Sequence, residues 1–545
     1  MSAQHSKIGL IATTLLMYHP LAAQSGSGNS STLMIAIVTI TLILLLWAVL
    51  SLANNLMKVE AAKNGIDTIK ENFSIIPGLS DFWSSKKPSY AGDHHFIALT
   101  KGHNILLEGE AAGSFEKIAV NRFALQPTNF HGISPIPKVE VEVGQNVKAG
   151  DVLFYDKKRP DIKFVSPVSG EITSIERGDK RAIASIQILA DKKIEYRTIK
   201  APDTDKTNRE DLILFMAENG LLPHIKQRPF DRAPETDIVP ANIFISTFDT
   251  APLAPDLNIV VEGQHLAFQK GLDVLSKLTD GKVFMGLDGR GKKAPHKAFT
   301  EAQNVVKTYF AGKHPCGNVG VQIHHTAPIK QGSSVWTVQV QDVITIGKMF
   351  LDGIYDATRI IALTGAEISN PKYVSTYLGA SVDDMLRHQT MSSDNVRIIS
   401  GDVLSGKSIS KDGFVNFEDD QITVVREGNE YEMFGWLLPI TPRPSVSKTF
   451  PNFLYLDHKF EAETNTHGEK RAFVLSGLYE EVLPMDIYPM HLMKSILNKD
   501  IEKMEGLGVT ELTEEDIALC EFVCVSKTPM QQILREGLEL MNEQS

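Results

Sequence analysis

The chain has little cysteine. Its 545 residues include three cysteines, Cys316, Cys520 and Cys524, which are too few for a disulfide framework and indicate a reducing compartment. They are also too few for a pair of four-iron clusters, which need about eight thiolates. Disulfide-rich secreted folds and multi-cluster ferredoxin-like chains are therefore excluded.

Basic charge is not in excess either. The formal net charge is −11, so the electrostatic footprint of a nucleic-acid-binding protein is missing and we expect no nucleic-acid partner. The sequence contains no His-Glu-x-x-His and no Gly-x-Ser-x-Gly motif, which removes support for a zinc protease or a serine hydrolase. The remaining composition, 43% hydrophobic and 22% charged, is that of a globular protein with roughly three to four domains.

Apolar runs are concentrated at the N-terminus. Leu33–Ala53, LMIAIVTITLILLLWAVLSLA, is uncharged and long enough to cross a bilayer, so we predict a transmembrane helix over residues 33–55. Residues 1–23 contain a shorter apolar run before Leu21-Ala22-Ala23, which predicts a signal peptide or a first membrane helix. Lysines follow residue 55 and predict that the rest of the chain is cytoplasmic, beginning with a linker over residues 56–95.

Val139–Ile188 has the pattern of a lipoyl or biotinyl carrier domain. Short alternating strands are separated by turn signals such as Lys148-Ala149-Gly150-Asp151. A carrier domain presents its attachment lysine at an exposed hairpin tip. Here Arg159-Pro160-Asp161 stands where we expect the apex, without a Met-Lys-Met sequence. The pattern predicts a carrier scaffold that has lost its prosthetic group.

The rest of the chain alternates between strand and helix patterns. The predicted fold class is a multidomain α/β protein with one or two N-terminal transmembrane helices. We predict a strand-rich domain with the lipoyl/biotinyl-like barrel-sandwich module over residues 96–200 and a Rossmann-like α/β domain over residues 201–375. A β-grasp-like domain is predicted over residues 376–475 and a C-terminal helical bundle over residues 476–545.

Two stretches match phosphate-binding motifs but lack the context that phosphate binding needs. Gly401–Ser408 has the P-loop pattern, yet no helical face follows it, so a β-hairpin is predicted. Gly289–Ala294 follows a strand as a dinucleotide fingerprint does. However, Pro295 comes next and no acidic residue stands in a ribose-binding context about twenty positions on. We interpret it as a solvated basic loop.

Three histidines near Cys316 are the candidate site residues. His314, His324 and His325 lie in GKHPCGNVGVQIHH, where a structural zinc site would need further ligands, so no metal site is predicted. Quinone binding needs an apolar slot and one or two hydrogen-bond donors, which these histidines could supply. Core or loop histidines are the alternative. No catalytic residue and no cofactor-binding residue is predicted on this chain.

Several long motifs together resemble one known family. They are AGDVLFYDKKRPDIKFVSPVSGEITSIERGDKRAIASI, FISTFDTAPLAPD, GKHPCGNVGVQIHHTAPI, VWTVQVQDVITIGKMFLDGIYDATRIIALTGAEISNP, VRIISGDVLSGKS and LTEEDIALCEFVC, in this order. They resemble the NqrA family, one of the subunits of the sodium-translocating NADH:quinone reductase, over about residues 96–545. Residues 1–95 and Cys524-Val525-Ser526-Lys527-Thr528 depart from that pattern.

The resemblance implies a translocase subunit in a six-subunit complex of the bacterial inner membrane, with its main domains on the cytoplasmic side. Such a complex couples electron transfer from NADH to quinone with Na⁺ export and uses flavins and an iron–sulfur centre. This chain would carry no redox cofactor, and it would contribute scaffold and quinone contacts beside the membrane subunit NqrB. The alternatives are a membrane-tethered ligand-binding module and an RnfC-like electron-transfer subunit.

Overall fold

The structure is a computed structural model that describes residues 30–63, 85–330, 332–387, 389–393, 395–430, 432–433, 442–446 and 457–544. The chain divides into two units, residues 1–84 and 85–545. Helix α1, Ser30–Lys63, is the described part of the first unit. The prediction for residues 1–23 lies outside the described residues, as does most of the predicted linker.

Helix α1 contains the long apolar run, and its side chains from Met34 to Val49 are exposed. Among the residues that the structure describes, no helix has both the length and the apolar content needed to cross a membrane. The predicted transmembrane helix over residues 33–55 is therefore unconfirmed.

The second unit is built around a six-stranded sheet that is parallel except for one edge strand. Its strand order is β1-β13-β12-β11-β14-β10, and β10 pairs with β14 in the antiparallel direction. Strands β11 to β14 follow each other with intervening helices, as expected for an α/β layer. The strands are β1 (His95–Ala98), β10 (Ile225–Arg228), β11 (Ile243–Ser246), β12 (Val283–Asp288), β13 (Val306–Ala311) and β14 (Val335–Val338).

Six helices lie in the same stretch of the chain as these strands: α2 (Arg209–Glu218), α3 (Leu257–Val260), α4 (His265–Lys277), α5 (Lys297–Thr300), α6 (Val319–Thr326) and α7 (Val340–Asp352). Helices α4 and α7 pack through glycines. A Cβ atom added to Gly347 would lie 1.7 Å from the carbonyl oxygen of Ala267. Only glycine permits the two backbones to approach this closely.

Two small antiparallel sheets form the barrel-sandwich module. Strand order is β3-β9-β8-β5 in one sheet and β4-β6-β7 in the other. The rings of Phe154 and Phe164 stack 4.6 Å apart across β6 and β7. The strands are β3 (Arg122–Leu125), β4 (Lys138–Val139), β5 (Asn146–Val147), β6 (Val152–Asp156), β7 (Arg159–Val165), β8 (Gly170–Arg177) and β9 (Ile183–Ala190).

The apex of the β6–β7 hairpin is not where the sequence predicts it. Lys157 and Lys158 form the turn, whereas Arg159-Pro160-Asp161 already belongs to β7. Among the described strands, β7 pairs with β6 alone, and proline is tolerated in such an edge strand. Arg159 then turns back, and its guanidinium donates to the carbonyl oxygens of Ala233 at 3.0 Å and Gly132 at 3.3 Å. The expected apex was wrong, and the hairpin is fastened to the body of the protein.

A third sheet has the strand order β18-β17-β19-β15-β16-β2. Strand β2 precedes the barrel-sandwich strands in the sequence and pairs in parallel with β16. This sheet and the α/β sheet each contain strands from more than one predicted domain. The predicted domain boundaries therefore stay a prediction. The strands are β2 (Ala112–Lys117), β15 (Thr358–Thr364), β16 (Lys372–Tyr377), β17 (Val396–Ser400), β18 (Lys407–Ile409) and β19 (Gln421–Arg426), with helix α8 (Val382–Leu386) beside them.

The described C-terminal part is helical. Its helices are α9 (Tyr479–Val482), α10 (Pro489–Leu497), α11 (Ile501–Gly506), α12 (Glu514–Val523) and α13 (Met530–Gln544). Thr513 and Asp516 form a capping box at the start of α12. These helices pack around their own hydrophobic core, which includes Met493, Leu519 and Leu534.

Candidate functional site

A central cavity of about 760 Å³ opens at the carboxyl edge of the α/β sheet. The chain runs from β11 through β12 to β13 on one side, and β14 then returns to the other side of β11. This reversal of strand order leaves a crevice beyond the carboxyl ends of β11 and β14, which is the usual ligand position in open α/β sheets. Phe248 and Asp249 after β11 and Gln339 after β14 line the cavity.

Three parts of the fold close the other sides of the central cavity. The turn at residues 401–407 and the loop at residues 416–421 come from the third sheet, and α12 and α13 come from the C-terminal helices. The cavity is therefore assembled at a junction, and its lining residues are far apart in the sequence.

His314 is a candidate histidine that lines the cavity. Its ring is buried, its Nδ1 lies 3.1 Å from the hydroxyl of Thr250, and its Nε2 has no hydrogen-bond partner within the described structure. The backbone is held from both sides, because the His314 N–H donates to Asn104 and its carbonyl oxygen accepts from the His103 N–H. Burial lowers the pKa of His314, so the ring is neutral near pH 7.

His324 and His325 lie elsewhere, on α6. The Nδ1 atom of His324 is 2.9 Å from the Glu511 carboxylate, and its Nε2 accepts from the Asp486 N–H at 3.2 Å. His325 Nε2 donates to the carbonyl oxygen of Pro484 at 2.6 Å. Both rings therefore join the α/β layer to the C-terminal helices, and the structure does not bring them together with His314 in the cavity.

The cavity wall is rich in carboxylates whose protonated form is favoured. Burial, together with the nearby Asp402, raises the pKa of Asp249. Burial also raises the pKa of Glu418, and it raises that of Asp420 to about 7 despite the Arg359 guanidinium. No sequence motif marks these residues, because each one stands alone in its own segment.

Charged side chains gather where β10, the loop before β19 and the helices α12 and α13 meet. We call this group the junction cluster. Within the described residues it contains three cations, Lys226, Arg228 and Arg535, and five carboxylates, Asp231, Glu418, Glu514, Glu515 and Asp516. Arg228 lies 2.7 Å from Glu515 and 3.0 Å from Asp516, and Lys226 lies 3.2 Å from Asp231 and 2.5 Å from Glu418. These contacts tie β10 to the third sheet and to α12.

The P-loop-like stretch forms a turn between the antiparallel strands β17 and β18, which confirms the predicted hairpin. The Asp402 carboxylate accepts hydrogen bonds from the backbone N–H groups of Leu404 and Ser405 and from the Ser405 hydroxyl. Two N–H groups of the turn are thus bound by an internal carboxylate. No helix follows to supply further donors for a phosphate.

Polar groups of the dinucleotide-like loop are also hydrogen-bonded to other residues of this chain. Arg290 forms a two-point contact with Asp288 at 2.8 and 2.9 Å and lies over the Phe248 ring. The Tyr90 hydroxyl donates to the carbonyl oxygen of Gly291 at 2.9 Å. The short helix α5 begins only at Lys297, so the loop does not lead directly into a helix N-terminus.

The three cysteines are buried and unbridged. Burial raises the pKa of Cys316 to about 12 and also raises that of Cys520. Burial acts the same way on Cys524, but hydrogen bonds from Tyr479 and Thr528 outweigh it and lower the pKa of that thiol. Within the described ranges, no group of three or more histidine, cysteine or acidic residues is arranged to hold a metal ion.

Three family models match the chain in sequence order. They are described as the NqrA N-terminal barrel-sandwich hybrid domain, over residues 97–191, the NqrA second alpha/beta domain, over residues 207–355, and the NQRA C-terminal domain, over residues 360–411. The barrel-sandwich and α/β parts of the predicted fold class are confirmed. The class is a multidomain chain in which these modules surround a polar cavity.

Curated relatives extend the match. The NqrA subunit of the Na(+)-translocating NADH-quinone reductase of Saccharophagus degradans is 37% identical over 446 residues, covering 81% of this chain and 98% of the relative. The same subunit from Yersinia pestis and from Klebsiella pneumoniae is 36% identical, covering 82% of this chain and 100% of each relative. The chain belongs to the NqrA family of Na⁺-translocating NADH-quinone reductase subunits, which confirms the resemblance.

Solved structures give a more distant likeness. A crystal structure of NAD⁺-reducing [NiFe]-hydrogenase in the air-oxidized state matches with a TM-score of 0.32 and 11% sequence identity. The match covers 64% of this chain and 67% of the hydrogenase chain.

Proposed function

We propose that this chain is a working subunit of a larger reductase complex that couples electron transfer from NADH to quinone with Na⁺ export. The sequence match to NqrA along almost the full length of several relatives supports this proposal. The chain itself serves as scaffold and contributes quinone contacts, without a complete active site of its own. Flavins, an iron–sulfur centre and the NADH site belong to other subunits in this proposal.

The quinone site in this proposal is the central cavity. The observation that carries it is the buried His314 ring, whose Nε2 lacks a partner in the described structure and which lines a cavity of about 760 Å³. That volume lies in the range of small-molecule sites. A quinone head group offers carbonyl oxygens that an imidazole N–H can bind, and the Phe248 ring supplies apolar surface beside it.

For His324 and His325, contact with quinone stays a prediction. Their ring nitrogens bond to Glu511, Asp486 and Pro484, so a quinone there would replace existing contacts. The same experiment can therefore distinguish the cavity from the side of α6 that carries His324 and His325.

The test is photoaffinity labelling of the assembled complex with a quinone analogue, followed by mapping of the tagged peptides. We expect tags on peptides that contain residues 247–251 and 312–318. His314→Gln should reduce labelling about tenfold, the effect of losing one buried hydrogen bond. Retained labelling in His314→Gln, combined with loss in His324→Gln or His325→Gln, would move the site to α6. An untagged chain would refute a quinone site on this subunit.

We further propose that residues 33–55 anchor the chain in the bacterial inner membrane beside NqrB, with the second unit on the cytoplasmic side. The uncharged run within α1 and its exposed apolar side chains support an anchor. Deletion of residues 1–55 should release the chain from the complex in a salt wash. Full retention after the wash would show that other contacts hold it.

The domain division is part of the same proposal. A Rossmann-like domain, a β-grasp-like domain and a C-terminal helical bundle follow the barrel-sandwich module, at the boundaries predicted from the sequence. The reversal of strand order beside β11 supports the Rossmann-like assignment.

A further inference from the structure

The junction cluster contains more carboxylates than cationic side chains. Within the described part of the chain it has two more carboxylates than cationic side chains. His131, whose Nε2 lies 4.0 Å from Glu514, does not make up the difference, because burial lowers its pKa to about 4. Burial raises the pKa of Glu418, which favours its protonated form and accounts for one of the two excess carboxylates. Near neutral pH one negative charge of the cluster therefore remains uncompensated.

An uncompensated carboxylate among partly buried groups is costly unless a cation neutralises it. The described residues provide no group of three or more ligands for a metal ion. The simplest cation that the cluster can take up is a proton. The Asp516 carboxylate supports this argument, because its Oδ1 is buried and has no hydrogen-bond partner in the described structure.

The individual contacts indicate which carboxylate takes the proton. Arg535 binds Glu514 with two nitrogens, and Lys226 and Arg228 both act on Asp231. Glu515 has Arg228 as its cationic partner, shares that partner with the adjacent Asp516, and retains 43% of its side-chain surface. Glu515 also lines the central cavity, so cavity water can exchange a proton with it.

Glu515 is joined to the parts of the fold that enclose the cavity. Its carbonyl oxygen accepts from the Asn318 side chain at 3.0 Å, next to α6, and its carboxylate contacts Arg228 at the end of β10. Arg535 on α13 donates to the carbonyl oxygen of Phe230 at 3.0 Å, and Gln531 donates to that of Leu404. The C-terminal helices are thus held to the sheets mainly through charged and polar contacts at this point.

We propose that Glu515 is a proton-binding residue of the junction cluster, and that its proton holds α12 and α13 against the cavity. This inference does not depend on quinone binding. Arg228 and Lys226 on β10 are the cations that face Glu515. When Glu515 loses the proton, it repels the carboxylates of Asp516 on α12 and Asp231 in the loop after β10. The helical wall then loosens and the cavity opens.

The direction with pH follows from the pKa. Partial burial, followed by the neighbouring Asp516 carboxylate, raises the pKa of Glu515 to about 7, and Arg228 and Lys226 oppose this rise. The closed form thus binds the proton more tightly than an open form whose pKa is ordinary. Closure is fully favoured below the ordinary pKa of a glutamic acid and is lost as the pH rises through about 7.

The test is amide hydrogen exchange of the full chain between about pH 6 and pH 8.5, corrected for the intrinsic pH dependence of exchange. In the wild type, protection of α12 should fall about tenfold, which corresponds to one pKa unit of linkage. Glu515→Gln keeps an acceptor for Arg228 and should hold the protection constant. Glu521→Gln is the matched control, since Glu521 lines the same cavity on the same helix outside the cluster. It should behave like the wild type.

A Glu515→Gln variant that keeps the wild-type slope overturns the proposal, and so does a Glu521→Gln variant that abolishes it. Infrared spectroscopy gives a second test. Burial also raises the pKa values of Asp249, Glu418 and Asp420, so the protonated carboxyl C=O band of the wild type is compared with that of Glu515→Gln. The difference between the two spectra should contain a band near pH 6 that disappears by pH 8.5, and the absence of that difference band would also overturn the proposal.

Discussion

The two motif-like loops and the central cavity differ in how their polar groups are used. In the turn after β17, Asp402 binds the N–H groups of Leu404 and Ser405, and in the loop after β12, Arg290 and Gly291 are bound by Asp288 and Tyr90. In the cavity, by contrast, the His314 Nε2 has no partner within the described structure. A sequence motif therefore does not identify a site when the chain itself satisfies the groups that a ligand would need.

The largest effect should come from disrupting the junction cluster. Arg228→Met leaves the fully buried Asp516 and its neighbour Glu515 without their shared cation. Removal of one partner from such a buried pair costs about 3–5 kcal/mol. We expect a clear loss of stability in denaturant unfolding followed by circular dichroism. Arg397→Met, which breaks the more exposed contact with Glu427, is the control and should cost under about 1 kcal/mol. Equal effects of the two variants would contradict a special role for the cluster.

A smaller effect is expected at the turn after β17. Asp402→Ala removes the acceptor of two backbone N–H groups and one hydroxyl, which should cost about 1–2 kcal/mol. Asp402→Asn keeps one acceptor oxygen and should lose about half as much. Equilibrium titration of the wild type with a fluorescent ATP analogue should show no saturable binding. Saturable binding that Lys407→Ala abolishes would restore the P-loop interpretation.

The smallest effect should come from the loop after β12. Tyr90→Phe keeps the ring against Tyr309 but removes the hydroxyl that donates to Gly291, so it should cost about 1 kcal/mol. The local result is easier to measure, because the loop contains Arg290, Lys292 and Lys293. Limited trypsin digestion should cut there faster in Tyr90→Phe than in the wild type. Tyr155→Phe, in the barrel-sandwich module, should leave the cutting rate unchanged.

Local patterns in the sequence predict the modules well. The alternation of apolar residues predicts the barrel-sandwich strands, and the absence of a helical face after Ser408 predicts the hairpin. The apex of the β6–β7 hairpin was predicted two residues too late, because Pro160 indicates a turn by its residue type. An edge strand needs no N–H at that position, so it accepts the proline.

The cavity could not be predicted in the same way. Arg228, Glu418 and Glu515 come from three distant segments, and each one by itself has the pattern of an exposed charge. They form a cluster only when β10, the third sheet and α12 come together in the folded chain. One signal was available in the sequence, since residues that follow β11 and β14 lie at the carboxyl edge of a predicted parallel sheet. Asp249 could have been identified from that position.

The fastened β6–β7 hairpin changes what the carrier-like module can offer to a neighbour. A hairpin that carries a prosthetic group works by travelling between distant places. Arg159 ties this hairpin to Gly132 and Ala233, so Lys157 and Lys158 are presented at a constant distance and angle from the rest of the unit. The hairpin is therefore fixed in position and cannot swing. A partner that binds those two lysines would be held in one orientation relative to the α/β layer.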